Sequence, residues 1–376
     1  MKQWRQIIPF ALMITITAGA ADTYAASPEF ARTEEEWSRL RDDVLEYDEI
    51  ADLISEYNTT VAGNRIAYKK TKNKDLDDIT QQYRDAAGSY SSQATDATTD
   101  IEAISFELQE REAEIKADDN VDDGENDRLI YAKDEAALVR KAQQLMNTYN
   151  QLLIRKELEE SSRQLAAQQL NSVTVMQSQG LATEAEVLSA RQAVHNSDAA
   201  IINLTGQIED SRQSLIIMTG WKQGGVPEIK GIPDVDPERV NHLDPAADQE
   251  IALQNDYSLQ VERRRLEHSA SQDNIDLYTT NVKKTEEAVK SAVDLGYQTV
   301  LQSYTAYEQG QVALNLANTN LATGQRKYAA GTLSRLELSS LQYKQENAET
   351  TFRLREMELF QALQDYDWLL NGLASS

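Results

Sequence analysis

Between Val187 and Met218 the apolar side chains step by three and four without a slip: Val187, Ala190, Val194, Ile201, Leu204, Ile208, Leu215 and Met218, with Ser197 and Ser211 as the polar members. A seven-residue repeat sustained this long lays a narrow seam along a helix, the pattern of a laterally packed rod rather than of a broad globular face. The seam returns at a constant offset of 151 residues, as Leu338, Leu341, Ala348, Phe352, Leu359, Ala362, Tyr366 and Leu369, with Gln345 and Arg355 as exceptions. Leu165 and Leu316, Ala166 and Ala317, and Leu170 and Leu321 keep that offset upstream, and Thr219-Gly220 and Asn371-Gly372 close the two runs at an offset one larger. The chain is therefore an internal duplication of long helices.

Each seam is preceded by the same short grammar. QGLATEAEVLSA, residues 179–190, and AGTLSRLELSSL, residues 330–341, align on Gly180 and Gly331, then share Thr183 or Ser334 and Glu186 or Glu337. A glycine can take the left-handed conformation that ends a helix. The hydroxyl residue suits the next N-cap, and a Glu three positions on can reach back to the cap amide as a capping box. Each stretch reads as the tip of a helical hairpin, with Leu181, Leu333 and Arg335 as further exposed candidates beside these cap residues.

The rest of the chain fits around these rods. From Glu29 to about Tyr68, the positions Leu40, Val44, Tyr47, Ile50, Ile54 and Tyr57 share one helical face, with a local break at Asn58 and Thr59. Residues 69–127 form an extra segment in which Ile101, Ile104 and Leu108 hint at helix, Gly88 to Phe106 is rich in Ser and Thr, and 117–128 reads as an acidic, solvated turn. That turn fails as a calcium loop: with Gly124 at the sixth position, Val121 stands where an oxygen ligand is needed and Ile130 where the bidentate Glu belongs. A second helical run spans Tyr131 to Ser178. Pro227, Pro233, Pro237 and Pro245 exclude a continuous helix over 221–249, which reads as a connector. Beyond it, Val293, Tyr297, Val300, Tyr304, Tyr307, Leu314, Leu321 and Tyr328 form one seam leading to the second tip, with a helix reversal expected near Thr279 to Lys284. From there to Gly331, at about 1.5 Å per residue, the rod spans ~68 Å.

Composition sets the functional bounds. Lys2 and Arg5, an apolar run from Ile7 to Ala20 and small residues through Ala26 read as an export signal over 1–26, too short in its apolar part to span a bilayer. The expected organisation is then a first helical repeat over 27–220, the connector, and a second repeat over 250–376. Cysteine is absent, so no disulfide, thiol nucleophile or N-terminal lipidated Cys is available. The net charge of -25 disfavours nucleic acid and anionic lipid. His195, His242 and His268 are scattered, without an HExxH motif or an i, i+4 pair, so no metal, cofactor or catalytic constellation is expected and the chain reads as a non-enzyme.

With its two tips, the ALxxN element at Ala252 to Asn255 with a fainter partner near Asn58, and the closing LLNG at Leu369 to Gly372, the chain resembles the TolC family of outer-membrane efflux proteins. The resemblance covers about Leu40 to Leu373 and implies two tandem hairpin repeats, lateral homo-oligomerisation as a trimer, and tips that meet a periplasmic adaptor (membrane fusion) protein linked to an inner-membrane exporter. The docking role would fall on Gly180, Leu181, Thr183 and Glu186, and on Gly331, Leu333, Ser334, Arg335 and Glu337. The family more often has Asp where this chain has Glu. The larger departure is the membrane part: a membrane strand needs about 9 to 11 residues of apolar-polar alternation, and neither His268 to Leu295 nor Gly88 to Phe106 offers it. The expected fold is all-α, an elongated antiparallel helical-hairpin bundle built from two tandem repeats with no transmembrane β-barrel, in an exported, extracytoplasmic protein. Two functions follow: a TolC-like component of an efflux or secretion assembly whose tips dock an adaptor, or an extracytoplasmic coiled-coil scaffold or cell-wall spacer without transport.

Overall fold

A computed structural model describes residues 32–221 and 226–375. The export signal read over 1–26 lies outside the described residues. The long helices dominate. Helix α6 (Gly124–Ser178) returns as α7 (Glu184–Met218), and α10 (Gln272–Ala329) returns as α11 (Arg335–Trp368). The 58 residues of α10 correspond to roughly 87 Å of rod. All ten first-half seam positions of α7 are buried or half-buried, while Leu188 and Ile202 beside them face solvent.

The two hairpins lie side by side through α6 and α11. Arg140 Nε donates to Asp365 Oδ1 at 2.8 Å, Asn147 Nδ2 to the Met357 carbonyl at 3.0 Å, and Ser161 Oγ to Glu346 Oε1 at 2.6 Å. As the number rises along α6 it falls along α11, so the pair is antiparallel and both hairpin turns lie at the same end. Gln144 and Gln361 complete the ladder around Asp365, and Trp368 Nε1 donates to Gln143 at 2.8 Å. These polar groups of the seam are hydrogen-bonded to one another, the condition for placing them at an interface of low dielectric.

At the far end each hairpin has a core and a clasp, the first core also taking in Phe360 of α11. In the first, Leu45, Ile50, Leu53 and Ile54 pack on Val139, Ala142 and Met146 of α6 and Leu215 of α7; in the second, Leu253 and Leu259 pack on Val289, Val293 and Val300 of α10 and on Leu359 and Leu363 of α11. Asn58 ends α2 (Ile50–Tyr57), caps α3 (Thr59–Thr71), and donates through Nδ2 to the Met218 carbonyl at 2.9 Å. Asn255, the last residue of α8 (Pro245–Asn255), donates likewise to the Leu370 carbonyl at 2.8 Å. Each acceptor stands two residues before a left-handed glycine, Gly220 at φ +85° or Gly372 at φ +107°. The fainter Asn58 element is thus the structural twin of the ALxxN element.

The structure corrects several expectations. The helix read from Glu29 to Tyr68 is broken before Asn58 as well. α1 (Glu34–Arg39) ends early, Val44 leaves the helical face for strand β1 (Val44–Leu45), and β1 pairs in parallel with β2 (Glu228–Ile229) in the connector. Those two-residue strands are the only ones among the described residues, and membrane strands of the length a barrel needs are absent there. The second-half reversal falls at Ser269–Ser271, between α9 (Tyr257–His268) and α10, because Ser271 caps α10; Thr279 to Lys284 is continuous helix. Tyr328 turns to solvent and Gly324 takes its place in the seam, where the Leu341 side chain fills the space of a Cβ.

The extra segment is a helical hairpin, α4 (Leu76–Asp96) and α5 (Asp100–Asp118), which leaves the body at the end opposite the two turns. The turn after it is not merely solvated. Asp123 pairs with Arg264 and Asp122 with Arg265 at 2.7 Å, His268 Nδ1 meets the Val121 carbonyl at 2.9 Å, and Asn126 is fully buried. No helix among the described residues is long and apolar enough to cross a membrane.

A Cβ at Gly220 would run into Tyr57, whereas one at Gly331 would meet nothing. Gly331→Ala is therefore expected to cost only the left-handed strain, about 1–2 kcal/mol, and Gly220→Ala distinctly more. Urea unfolding followed by helical circular dichroism ranks the two; equal losses would contradict the clasp.

Candidate functional site

The two turns are built alike from backbone chemistry. At the first, the Gly180 amide donates to the Gln177 carbonyl and the Leu181 amide to the Met176 carbonyl, both at 2.9 Å. At the second, Gly331 donates to Tyr328 and Thr332 to Lys327, again at 2.9 Å. These bonds satisfy helix-end carbonyls that would otherwise lack partners, and they demand a left-handed residue. Gly180 and Gly331 supply it at φ +75° and +73°.

The next helix starts on a reciprocal cap. The Thr183 amide donates to Glu186 Oε2 at 2.6 Å, and the Glu186 amide donates to Thr183 Oγ1 at 3.3 Å. The Ser334 amide donates to Glu337 Oε2 at 2.8 Å, and the Glu337 amide to Ser334 Oγ at 3.2 Å. Both boxes expected from the sequence are formed. The donated backbone bond, followed by the hydroxyl bond, holds the carboxyls of Glu186 and Glu337 below the usual glutamate range.

Both turns sit together at one end, but they do not present the same surface. Leu181 is 73% exposed on the first, and its surroundings carry Glu184 and Glu186. The second carries Arg335 in the exposed first turn of α11, with Arg326 and Lys327 in the last turn of α10. Leu333 is not freely exposed as expected. It is half-buried, with Cδ2 lying against Gly324 of the preceding helix, so it staples its own turn. Sequence reading passed over Arg326 and Lys327; their spacing from Arg335 across a glycine turn was the available signal.

His195 is exposed on α7, His242 lies in the 3-10 turn Pro237–His242, and His268 is engaged with the Val121 carbonyl. Among the described residues no group of three or more His, Asp or Glu side chains is placed to hold a metal ion.

Comparison with known proteins bears on the fold. A solved channel, the Campylobacter jejuni CmeC outer membrane channel, aligns over 95% of this chain and 94% of its own, at 11% identity and a TM-score of 0.55. A membrane protein from Pseudomonas aeruginosa aligns over 94% of this chain and 97% of its own, at 12% identity and a TM-score of 0.53. No family model matches the chain, and no curated protein matches it in sequence. The likeness implied by the duplicated turns is real at the level of fold: this is a TolC-type arrangement of helical hairpins.

Because Glu186 and Glu337 titrate lower in the folded chain than the ~4.3 of a free glutamate, their caps contribute fully above that value and lose their contribution as pH falls through the folded one. Amide hydrogen exchange at residues 183–187 and 334–338 should therefore accelerate, relative to mid-helix amides, on acidification. The double variant Glu186→Gln, Glu337→Gln should show no such step; the same acid step in that variant would assign the effect elsewhere.

Proposed function

We propose that this chain is a TolC-like component of an extracytoplasmic efflux or secretion assembly, in which copies associate laterally and the paired turns dock an adaptor protein coupled to an inner-membrane exporter. The observation that carries the reading is the presentation of two capped, rigid turns at one end of a rod. A turn held by a glycine C-cap on one side and a capping box on the other loses little freedom on binding, which lowers the cost of docking. Leu181 offers an exposed apolar anchor on the first turn, and Arg326, Lys327 and Arg335 offer charge at the second. The fold likeness to an outer membrane channel supports the same reading.

A second reading is favoured by a specific observation. Between α3 and α6 the chain carries a helical hairpin, and between α9 and α10 only residues 269–271, so neither repeat holds strands of membrane length among its described residues. A coiled-coil scaffold or spacer of the envelope that kept the architecture without transport accounts for that directly. The transport reading accounts for the duplicated turns, which a spacer does not require.

The two separate in one experiment. A photocrosslinking residue at position 181 or 335 should capture an adaptor-type envelope protein, and Leu181→Ser with Arg335→Ala should reduce capture and export together by about tenfold, the effect of one lost anchor. Those positions are exposed, so helical content and melting should not change. Unaltered export with both substitutions, or no adaptor captured at either position, would favour the spacer.

A further inference from the structure

We propose that the outer face of α5 is a docking surface for a helix of another protein, one whose apolar seam is flanked by lysine or arginine. The helices α4 and α5 pack on each other and form no extended packing with any other element. On the face they share, Ala87 of α4 and Ala113 and Ala117 of α5 are buried and Phe106 of α5 is half-buried. On the opposite side of α5, Ile101, Ile104, Leu108 and Ile115 are each more than half exposed. Their spacing, with Arg111 in the remaining place, is three-four-three-four, so they share one narrow stripe. Isolated exposed aliphatics are ordinary on a protein surface, but an ordered seam of this kind is the shape of half a coiled coil.

Charge selects the occupant. With the stripe as the a and d positions, Asp100, Glu107 and Glu114 form one flank, while Ser105 and Glu112 form the other. Two copies of α5 would repel each other in either direction. Parallel pairing faces Glu107 with Glu112, and antiparallel pairing faces the acidic flank with itself. A lipid surface fits no better, because an interfacial helix takes a broad apolar face edged with Lys or Arg, and an acidic edge is repelled by anionic headgroups. A basic-flanked helix satisfies both seam and edge. Glu112 is already paired with Lys116 at 2.6 Å, which leaves the Asp100, Glu107, Glu114 edge as the stronger attractor. The surface lies at the end of the rod opposite the two turns and is independent of any role they have.

The test uses the full chain and a fluorescent synthetic heptad peptide with leucine at the seam and lysine on both flanks. At physiological salt it should bind saturably, and the same peptide with glutamate flanks should not. Ile104→Ser with Leu108→Ser should weaken binding by about tenfold or more, as should Glu107→Lys with Glu114→Lys, with circular dichroism unchanged. Absence of binding would overturn the proposal, and so would equal binding by the serine variant, which would indicate diffuse attraction to an acidic protein. If the serine variant instead dissociated an oligomer seen by light scattering, or abolished flotation with phosphatidylcholine vesicles, the stripe would belong to a second copy or to lipid, and the proposal would fall.

Discussion

A narrow apolar seam on a helix of more than fifty residues has to be covered along its length, and this constraint shapes the whole molecule. α6 and α10 each meet it by folding back on the helix that follows. The seam alone does not say how two such hairpins sit together. That is settled by the polar ladder between α6 and α11, from Arg140 and Asp365 through Asn147 to Ser161 and Glu346. A one-turn slip along it would leave half-buried donors without acceptors, at a cost comparable to several lost hydrogen bonds. Register between the repeats is thus fixed by polar groups, while adhesion within each repeat is apolar.

The two hairpins match most closely where backbone geometry leaves least choice. Gly180 and Gly331 differ little in φ, the two capping boxes use the same atoms, and Asn58 and Asn255 reach the same carbonyl relative to Gly220 and Gly372. Where the backbone is permissive the two hairpins differ. The first inserts α4 and α5 and the second closes directly; the first turn shows an exposed Leu181 and acidic side chains, the second a basic set.

Legibility in the sequence followed the strength of the physical signal. The Val187 to Met218 seam and both capped turns could be read because period and cap chemistry agree there. The hairpin α4–α5 could not, because its fully buried residues are alanines while the four aliphatics of α5, Ile101, Ile104, Leu108 and Ile115, point outward, which inverts the usual pattern. The reversal at 269–271 was missed because a single cap, Ser271, marks it amid a polar run. Val44 has the spacing of a helical core residue, and only a distant partner, Glu228 in the connector, draws it into a strand. The Arg263–Arg265 run gave no sign that it would fasten the acidic turn at Asp122 and Asp123. Leu333 looked free from sequence because nothing local shows that Gly324 leaves room for it.

The transport reading rests on the two turns standing at one end of a rod, and the absence of cysteine makes that directly measurable. Spin labels on cysteines introduced at Ser178 and Ala330, in protein diluted with unlabelled copies, report the separation by pulsed dipolar spectroscopy. Side-by-side hairpins give a distance of about two or three helix spacings of 8–10 Å. A separation approaching the roughly 87 Å length of α10 would place the turns at opposite ends and contradict the account.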